Sequence, residues 1–187
     1  MNQRPEFLES LELVTEALEE LAIDYFVTGS LASASHGVAR ATADADIVVD
    51  LSIESYEALL DRLGPDFYVP DSFAREAIRT RGMFNIIRVG ALFKADMILL
   101  RATDFDANAM RRARAASPTD SYPTATPEDI ILFKLQWLAA SGENSQRHRQ
   151  DVLGVIRAQS DHLDVNYLEE CAAVLGVDSL LREMLDS

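Results

Sequence analysis

A small set of residues has types and spacings that suit phosphate and metal chemistry. Gly29-Ser30 follows a short apolar run, and a strand that ends there and opens a helix offers backbone N–H groups and a hydroxyl to a phosphate chain. Asp44 and Asp46 stand two apart in a second apolar run, so both point to one face of a strand, with Cα atoms about 6.6 Å apart. A third acid, Asp96, lies within a third apolar run.

Three carboxylates on neighbouring strands predict a cation site. Such groups approach one another within about 5 Å, and at an effective dielectric of about 20 each pair costs about 3 kcal/mol of repulsion. Without a cation they would take up protons or move apart, whereas with one they form the oxygen-ligand site that Mg²⁺ prefers. Two Mg²⁺ ions bridging these carboxylates and a triphosphate would organise in-line phosphoryl or nucleotidyl transfer.

Apolar periodicity predicts the elements that must position these residues. Helical spacing covers residues 7–21, 31–35, 53–63 and 72–80, and strand-like runs cover residues 23–28, 45–51, 67–69, 83–89 and 92–100. The last two runs predict a hairpin, and only helices follow, over residues 127–140, 145–160, 165–175 and 179–185. We therefore expect an α/β (α+β) core over residues 1–118, a mixed sheet flanked by helices, with a helical region over residues 119–187 packed on it.

The joint pattern resembles the nucleotidyltransferase fold of the DNA polymerase beta superfamily, in a form similar to the minimal nucleotidyltransferases and the AbiEii-type abortive-infection toxins. The matching residues are Gly29-Ser30, Gly37-x-x-Arg40-x-Thr42-x-Asp44-x-Asp46, Lys94-Ala95-Asp96, Lys134-Leu135 and Arg147-His148-Arg149-Gln150-Asp151. The match extends from about residue 25 to residue 156. The toxins' last motif has Lys before its Asp and a second Asp three residues on, where this chain has Gln150 and Gly154.

The resemblance implies transfer of a nucleoside monophosphate from an NTP to a hydroxyl acceptor, which is a small molecule, a tRNA or a protein. It implies that Asp44, Asp46 and Asp96 hold two Mg²⁺ ions and that Asp96 helps to deprotonate the acceptor. The residues it assigns to the nucleotide are Gly29, Ser30, Arg40, Thr42 and Lys134. Further candidates are Lys94 and Asp151, the latter to orient Lys134 or the acceptor.

Several of these residues have plainer interpretations. Arg40 and Thr42 could simply fix the turn before the strand, and Lys134 could be a helix-surface lysine. His36 could be an ordinary loop histidine, and the basic run that begins at Arg147 could be a solvated helix start. For the whole protein the alternative is a catalytically silent regulatory module, for example a toxin–antitoxin component with a cognate partner.

Composition excludes several classes of protein. The chain has 187 residues, 48% of them hydrophobic, with 8 glycines and 6 prolines, which is typical of a globular protein and not of collagen or a disordered chain. Its apolar runs are far shorter than the roughly 20 residues that span a bilayer, and its first residues lack a signal-peptide pattern. The single cysteine, Cys171, allows neither an internal disulfide nor a Cys-based zinc site. We expect a cytoplasmic protein.

The net charge of −14 is unevenly distributed along the chain. Residues 1–74 carry 3 basic and 15 acidic side chains, residues 75–114 carry 9 and 4, and residues 115–187 carry 5 and 12. The total disfavours nonspecific binding to nucleic acid or an anionic membrane. The basic middle segment contains Asp96 and could attract an anionic substrate, although its arginines could equally pair with the acidic helices.

Overall fold

The computed structural model describes residues 6–36, 42, 44–115, 121–141 and 146–187. The strands are β1 (Tyr25–Thr28), β2 (Asp44–Val49), β3 (Phe67–Tyr68), β4 (Met83–Arg88) and β5 (Lys94–Leu99). The helices are α1 (Glu6–Glu20), α2 (Gly29–Ser35), α3 (Ile53–Leu63), α4 (Asp71–Thr80), α5 (Asp104–Arg112), α6 (Pro127–Ala140), α7 (Gln146–Gln159), α8 (Val165–Leu175) and α9 (Asp178–Leu185). The order of these elements is that of a strand-rich first part followed by helices.

The five strands form one mixed sheet in the order β1-β2-β5-β4-β3. β2 and β5 are parallel, and the other neighbouring pairs are antiparallel. In this register Asp46 is opposite Asp96 on one side and Thr28 on the other. Asn85 of β4 is opposite Asp96 in turn. The sheet therefore brings the polar residues of four strands side by side.

The two faces of the sheet carry two separate hydrophobic clusters. Because side chains alternate along a strand, Ala45, Ile47 and Val49 share one face, where they are fully buried and pack with α1, α3 and α4. On the opposite face, Val48 and Phe26 belong to a cluster built mainly from α5 to α9. Asp44 and Asp46 lie on this second face, beyond the edge of the helical cluster.

The expected fold class, a mixed sheet flanked by helices, is confirmed. Helices α3, α6 and α8 begin and end where periodicity predicted. The expected boundary after residue 118 falls outside the described residues, so the division into a core and a C-terminal region stays a prediction. Within the described part of the chain, no helix combines the length and apolar character needed to cross a membrane.

The sequence interpretation missed α5 and made the β4–β5 connection too short. α5 is mostly polar and buries only three of its nine residues, so it lacks an apolar stripe. Its sequence signals are local ones, a Thr103 side chain that accepts a hydrogen bond from the Asp106 N–H and arginines in the last turn. In the hairpin, the turn extends over residues 89–93, with Gly90 at φ +80°.

Candidate functional site

The turn between β1 and α2 is built tightly against Asp46. Gly29 has φ +67°, and a Cβ atom added there would lie 1.8 Å from Asp46 Oδ2, so only glycine fits. The backbone N–H of Ser30 donates a hydrogen bond to the same carboxylate. The Gly29-Ser30 turn and Asp46 therefore form one unit, and the Ser30 N–H is already used within it.

Asp46 and Asp96 form a pair of like charges in a poorly solvated place. Burial, followed by the negative charge of Asp96, raises the pKa of Asp46 to about 6. The positive charge of Lys134 and the Ser30 hydrogen bond act in the opposite direction. A further cation close to Asp46 would therefore favour the ionised form of its carboxyl group.

Two side chains hold Asp96 in position. Asn85 Nδ2 donates to Asp96 Oδ1 at 2.5 Å, and Lys94 Nζ lies 3.0 Å from the same oxygen. Lys94 also reaches Asp44 Oδ1 at 3.6 Å. The hydrogen bond from Lys94 to Asp96 is the main cause of the raised pKa of the lysine. Lys94 therefore supplies positive charge between two of the three carboxylates.

Asp44 is the most accessible of the three acids, with 52% of its side chain exposed. Thr42 is bound to its backbone: the Thr42 hydroxyl donates to the Asp44 carbonyl at 2.9 Å and accepts from the Asp44 N–H at 3.2 Å. These bonds support the interpretation of Thr42 as a residue that fixes the start of β2. Arg40 lies outside the described residues.

Lys134 is buried on α6 and paired with a carboxylate from α7. Its Nζ donates to Asp151 Oδ2 at 2.8 Å, and both side chains are more than nine-tenths buried. The interpretation of Lys134 as a helix-surface lysine is therefore wrong, because the apolar residues around it in the sequence place it inside the molecule. Lys134 links Asp151 to the carboxylate pair, since its charge acts on Asp46.

These residues line a cleft of about 580 Å³ between the sheet and the C-terminal helices. Of the residues singled out from the sequence, the cleft brings together the following: Gly29, Ser30, Thr42, Asp44, Asp46, Asp96, Lys134, Arg147 and His148. Lys94 contacts two of these acids without lining the cleft itself. His36 lies elsewhere, with Nε2 3.1 Å from the Ala125 carbonyl oxygen.

The carboxylates suit a metal in their chemistry, although they are not gathered around one point. Among the described residues, no group of three His, Cys, Asp or Glu side chains is placed to hold a metal ion. The donors of Asp44, Asp46 and Asp96 are all carboxylate oxygens, which Mg²⁺ prefers. Burial and then the charge of Asp96 raise the pKa of Asp46, and a bound cation would oppose both effects. The residues therefore fit Mg²⁺ in type, and binding would require small movements of their side chains.

Sequence reasoning missed several residues that line the cleft or support its carboxylates. Asn85 is a polar residue inside an apolar strand, a signal that pointed to a site only once the hairpin register was known. Trp137 of α6 and Arg101, which precedes α5, also line the cleft. Their positions depend on how the helices pack on the sheet, which a single sequence does not show.

The arginines of the basic middle segment are largely paired with acids. The ion pairs are Arg75 with Asp71 and Glu57, Arg79 with Glu76, Arg81 with Asp50, Arg88 with Glu9, Arg101 with Asp106, and Arg112 with Glu128 and Asp129. Pairing with the acidic helices therefore accounts for most of this segment's charge.

Comparison with known proteins gives a fold and no sequence family. No family model matches the sequence, and no curated protein matches it either. The solution structure of the antibiotic-resistance factor ANT(2'')-Ia is 16% identical over 94% of this chain and 91% of that chain, with a TM-score of 0.56. The crystal structure of ANT(2'')-Ia in complex with adenylyl-2''-tobramycin is also 16% identical, over 90% and 95% of the two chains, with a TM-score of 0.55. At this identity the likeness shows a shared fold, and the fold expected from the sequence is confirmed.

Proposed function

We propose that this chain, which has the nucleotidyltransferase fold, transfers a nucleoside monophosphate from an NTP to a hydroxyl group of an acceptor. The main support is that Asp46 and Asp96 are side by side on parallel strands, in a cleft that Ser30 and Lys134 also line. Carboxylates for a metal, a hydroxyl and a buried cation suit a triphosphate. The complex of ANT(2'')-Ia adds support, because its ligand carries an adenylyl group.

The proposed reaction is a substitution at the α-phosphorus of the NTP. The acceptor's hydroxyl oxygen forms a bond to that phosphorus, the bond from it to the oxygen shared with the β-phosphate breaks, and pyrophosphate leaves. Asp96 takes the hydroxyl proton, and Asn85 and Lys94 keep its carboxylate in position. Ser30 and Lys134 contact the triphosphate, and Asp151 holds Lys134 in place.

Asp44, Asp46 and Asp96 are the proposed ligands of two Mg²⁺ ions. When bound, Mg²⁺ would neutralise charge that develops on the phosphate oxygens. Two observations support a cation here: the repulsion between Asp46 and Asp96, and the position of Lys94 Nζ between Asp44 and Asp96. The lysine indicates that positive charge is favoured at this point even without a metal.

The test is transfer of label from NTPs to an acceptor. Purified protein with Mg²⁺ is incubated with each α-³²P-labelled NTP in turn and with pools of small hydroxyl compounds, tRNA or protein, and labelled products are identified by mass spectrometry. We expect at least one labelled product and release of pyrophosphate. Asp44→Asn and Asp46→Asn should each abolish both, since each removes a proposed metal ligand.

Asp61→Asn is the matched control, because Asp61 is an exposed acid on α3, away from the cleft. It removes the same charge from the chain and should leave transfer unchanged. Equal labelling by the wild-type protein, Asp44→Asn and Asp46→Asn would sink the assignment of the carboxylates.

A catalytically silent regulatory module is a second candidate. One observation favours it: Lys94 already contacts two of the three carboxylates and offsets one unit of their negative charge without a metal. Calorimetry separates the two candidates, since a silent module that has lost its site would not bind any NTP in the presence of Mg²⁺. The AbiEii-like subtype, the toxin–antitoxin role and a tRNA or protein partner stay predictions.

A further inference from the structure

The cleft continues beyond the carboxylates into an apolar part, which we call the Trp137 compartment. Its floor contains Met83 and Ile98, which are opposite each other on β4 and β5, and its wall contains Phe133 and Trp137 of α6. Ile98 is two residues after Asp96 on the same face of β5, so the compartment begins beside the proposed base. Trp137 is 52% exposed and Met83 is 47% exposed, which leaves a broad apolar surface open to a ligand.

The one further acid described at this end of the cleft is already paired with an arginine. Apart from the three proposed metal ligands, the described lining contains one further acid, Asp106, whose side chain is only 3% exposed. Both of its oxygens are held by Arg101, at 2.9 and 3.1 Å. Asp106 therefore offers no accessible carboxylate to a ligand.

Among the described residues around the Trp137 compartment, the accessible charge is positive. Arg81 lines the compartment with a side chain that is about half exposed and bound to Asp50 through Nη1, and the exposed Arg147 lines the cleft nearby, whereas Arg101 is already occupied by Asp106. Asp50, the partner of Arg81, lies outside the cleft lining. A ligand in this compartment would therefore meet guanidinium groups on its polar side and an apolar surface on the other.

We propose that the Trp137 compartment binds the acceptor, and that the acceptor is a small hydroxyl compound with a flat apolar body and an anionic group. This inference rests on the proposed function and names the substrate class of the same site. The apolar body packs against Trp137, Met83 and Ile98, where an aromatic ring gains stacking as well as buried area. The anionic group pairs with Arg81 or Arg147, and guanidinium groups bind carboxylates in a two-point geometry.

The same lining disfavours a polycationic acceptor. Tobramycin, the nucleotidylated group in the ANT(2'')-Ia complex, is a polyamine. Among the described lining residues, a polyamine in the Trp137 compartment would find no accessible carboxylate beyond the proposed metal ligands, and Arg81 and Arg147 would repel it. The shared fold therefore does not carry a shared acceptor class.

Trp137 is the single tryptophan of the chain, so its fluorescence reports on this compartment alone. The probes are two compounds with the same phenyl ring and a hydroxyl group, 3-phenyllactate with a carboxylate and phenylalaninol with an ammonium, and tobramycin. Each is titrated into the 187-residue protein saturated with Mg²⁺ and the non-reacting α,β-methylene-ATP. We expect 3-phenyllactate to change the Trp137 emission and to bind at least tenfold more tightly than phenylalaninol or tobramycin.

Ala140 provides a matched pair of charge variants. It is an exposed residue at the end of α6 that lines the cleft, so a longer side chain there does not disturb the core. Ala140→Lys should tighten binding of 3-phenyllactate and Ala140→Glu should weaken it, each by roughly threefold, with the reverse order for phenylalaninol. Thermal denaturation verifies that both variants are folded.

Two outcomes overturn the proposal. Tighter binding of phenylalaninol or tobramycin would show that the compartment prefers cations, and competition between 3-phenyllactate and α,β-methylene-ATP would assign it to the nucleotide base. Failure of the proposed function gives a different result: no NTP binds. The Trp137 emission would still report tighter binding of 3-phenyllactate, and the two Ala140 variants would still shift its affinity in opposite directions. Transfer of label to tobramycin would support the function and contradict the inference.

Discussion

At Asp46, the demands of stability and of the proposed reaction conflict. Its pKa is raised to about 6 in the folded protein, against 3.8 for an ordinary aspartate. Between about pH 4 and pH 6 the folded protein keeps a proton that the unfolded chain has released, so the free energy of unfolding falls as the pH rises through this window. Above pH 6 the ionised Asp46 destabilises the fold by about 3 kcal/mol, at about 1.4 kcal/mol for each pKa unit.

We therefore predict that Asp46→Asn stabilises the metal-free protein while it abolishes transfer. In EDTA at pH 7.5 the free energy of unfolding should rise by up to about 3 kcal/mol, because the amide carries no charge and its N–H₂ can donate to Asp96. Near pH 4 the difference from the wild type should vanish. Urea denaturation across this pH range measures it.

Asp44→Asn is the control for this prediction. Asp44 is half exposed, so its neutralisation should change the unfolding free energy little at any pH. An equal gain from both variants would mean that overall negative charge, and not the burial of Asp46, sets the effect.

Gly29 offers a second prediction at the scale of one residue. In Gly29→Ala, the new Cβ would overlap Asp46 Oδ2, and the positive φ costs alanine about 1 kcal/mol in addition. We expect the carboxylate to be displaced and the rate of transfer to fall by at least a hundredfold. Gly176→Ala is the matched control, since Gly176 has the left-handed conformation φ +69° with nothing within 4 Å of the added Cβ. Its free energy of unfolding should fall only by the cost of placing alanine at positive φ, and its activity should be unchanged. Urea denaturation and label transfer measure the two quantities.

At the scale of elements, one buried ion pair joins α6 to α7. Lys134 and Asp151 are both buried, so removing either partner leaves an uncompensated charge and should cost about 3 to 5 kcal/mol. The double variant Lys134→Met, Asp151→Leu should recover most of that loss and still fail to transfer label. Urea denaturation of the wild type, the two single variants and the double variant gives the double-mutant cycle that measures this coupling. If the double variant lost as much free energy of unfolding as the two single variants lost together, the role of the pair would be contradicted.

The same elements show what a sequence predicts. Helices α3 and α8 have apolar periods, α6 has a Thr126-Pro127 start signal, and Asp44, Asp46 and Asp96 lie in apolar runs, so these features were predictable. The register that sets Asn85 beside Asp96 was not, because a hairpin can pair its strands in more than one way. Trp137 and Arg101 were also missed, since their place in the cleft follows from helix packing on the sheet and from the unpredicted α5.

For the whole molecule, the net charge of −14 conceals an unequal distribution of accessible charge. Most arginines of residues 75–114 pair with acids on other elements, among them Arg75 with Glu57 and Arg88 with Glu9. Exposed pairs of this kind contribute little stability each. A ligand would meet a cleft with three carboxylates at one end and, at the other, the exposed Arg147 and the half-exposed Arg81.

This arrangement predicts strong linkage between ligand binding and global stability. An NTP with Mg²⁺ at a hundredfold above its Kd should add about 2.7 kcal/mol to the free energy of unfolding, because it binds only the folded cleft. For a chain of this length that corresponds to a rise in Tm of roughly 5 to 10 °C in differential scanning calorimetry. Asp46→Asn should begin from a higher Tm in EDTA and yet gain nothing from Mg²⁺ and NTP, since it lacks the carboxylate that the ligand neutralises. Asp61→Asn should show the full rise, and an equal rise in Asp46→Asn would place the nucleotide away from the carboxylates.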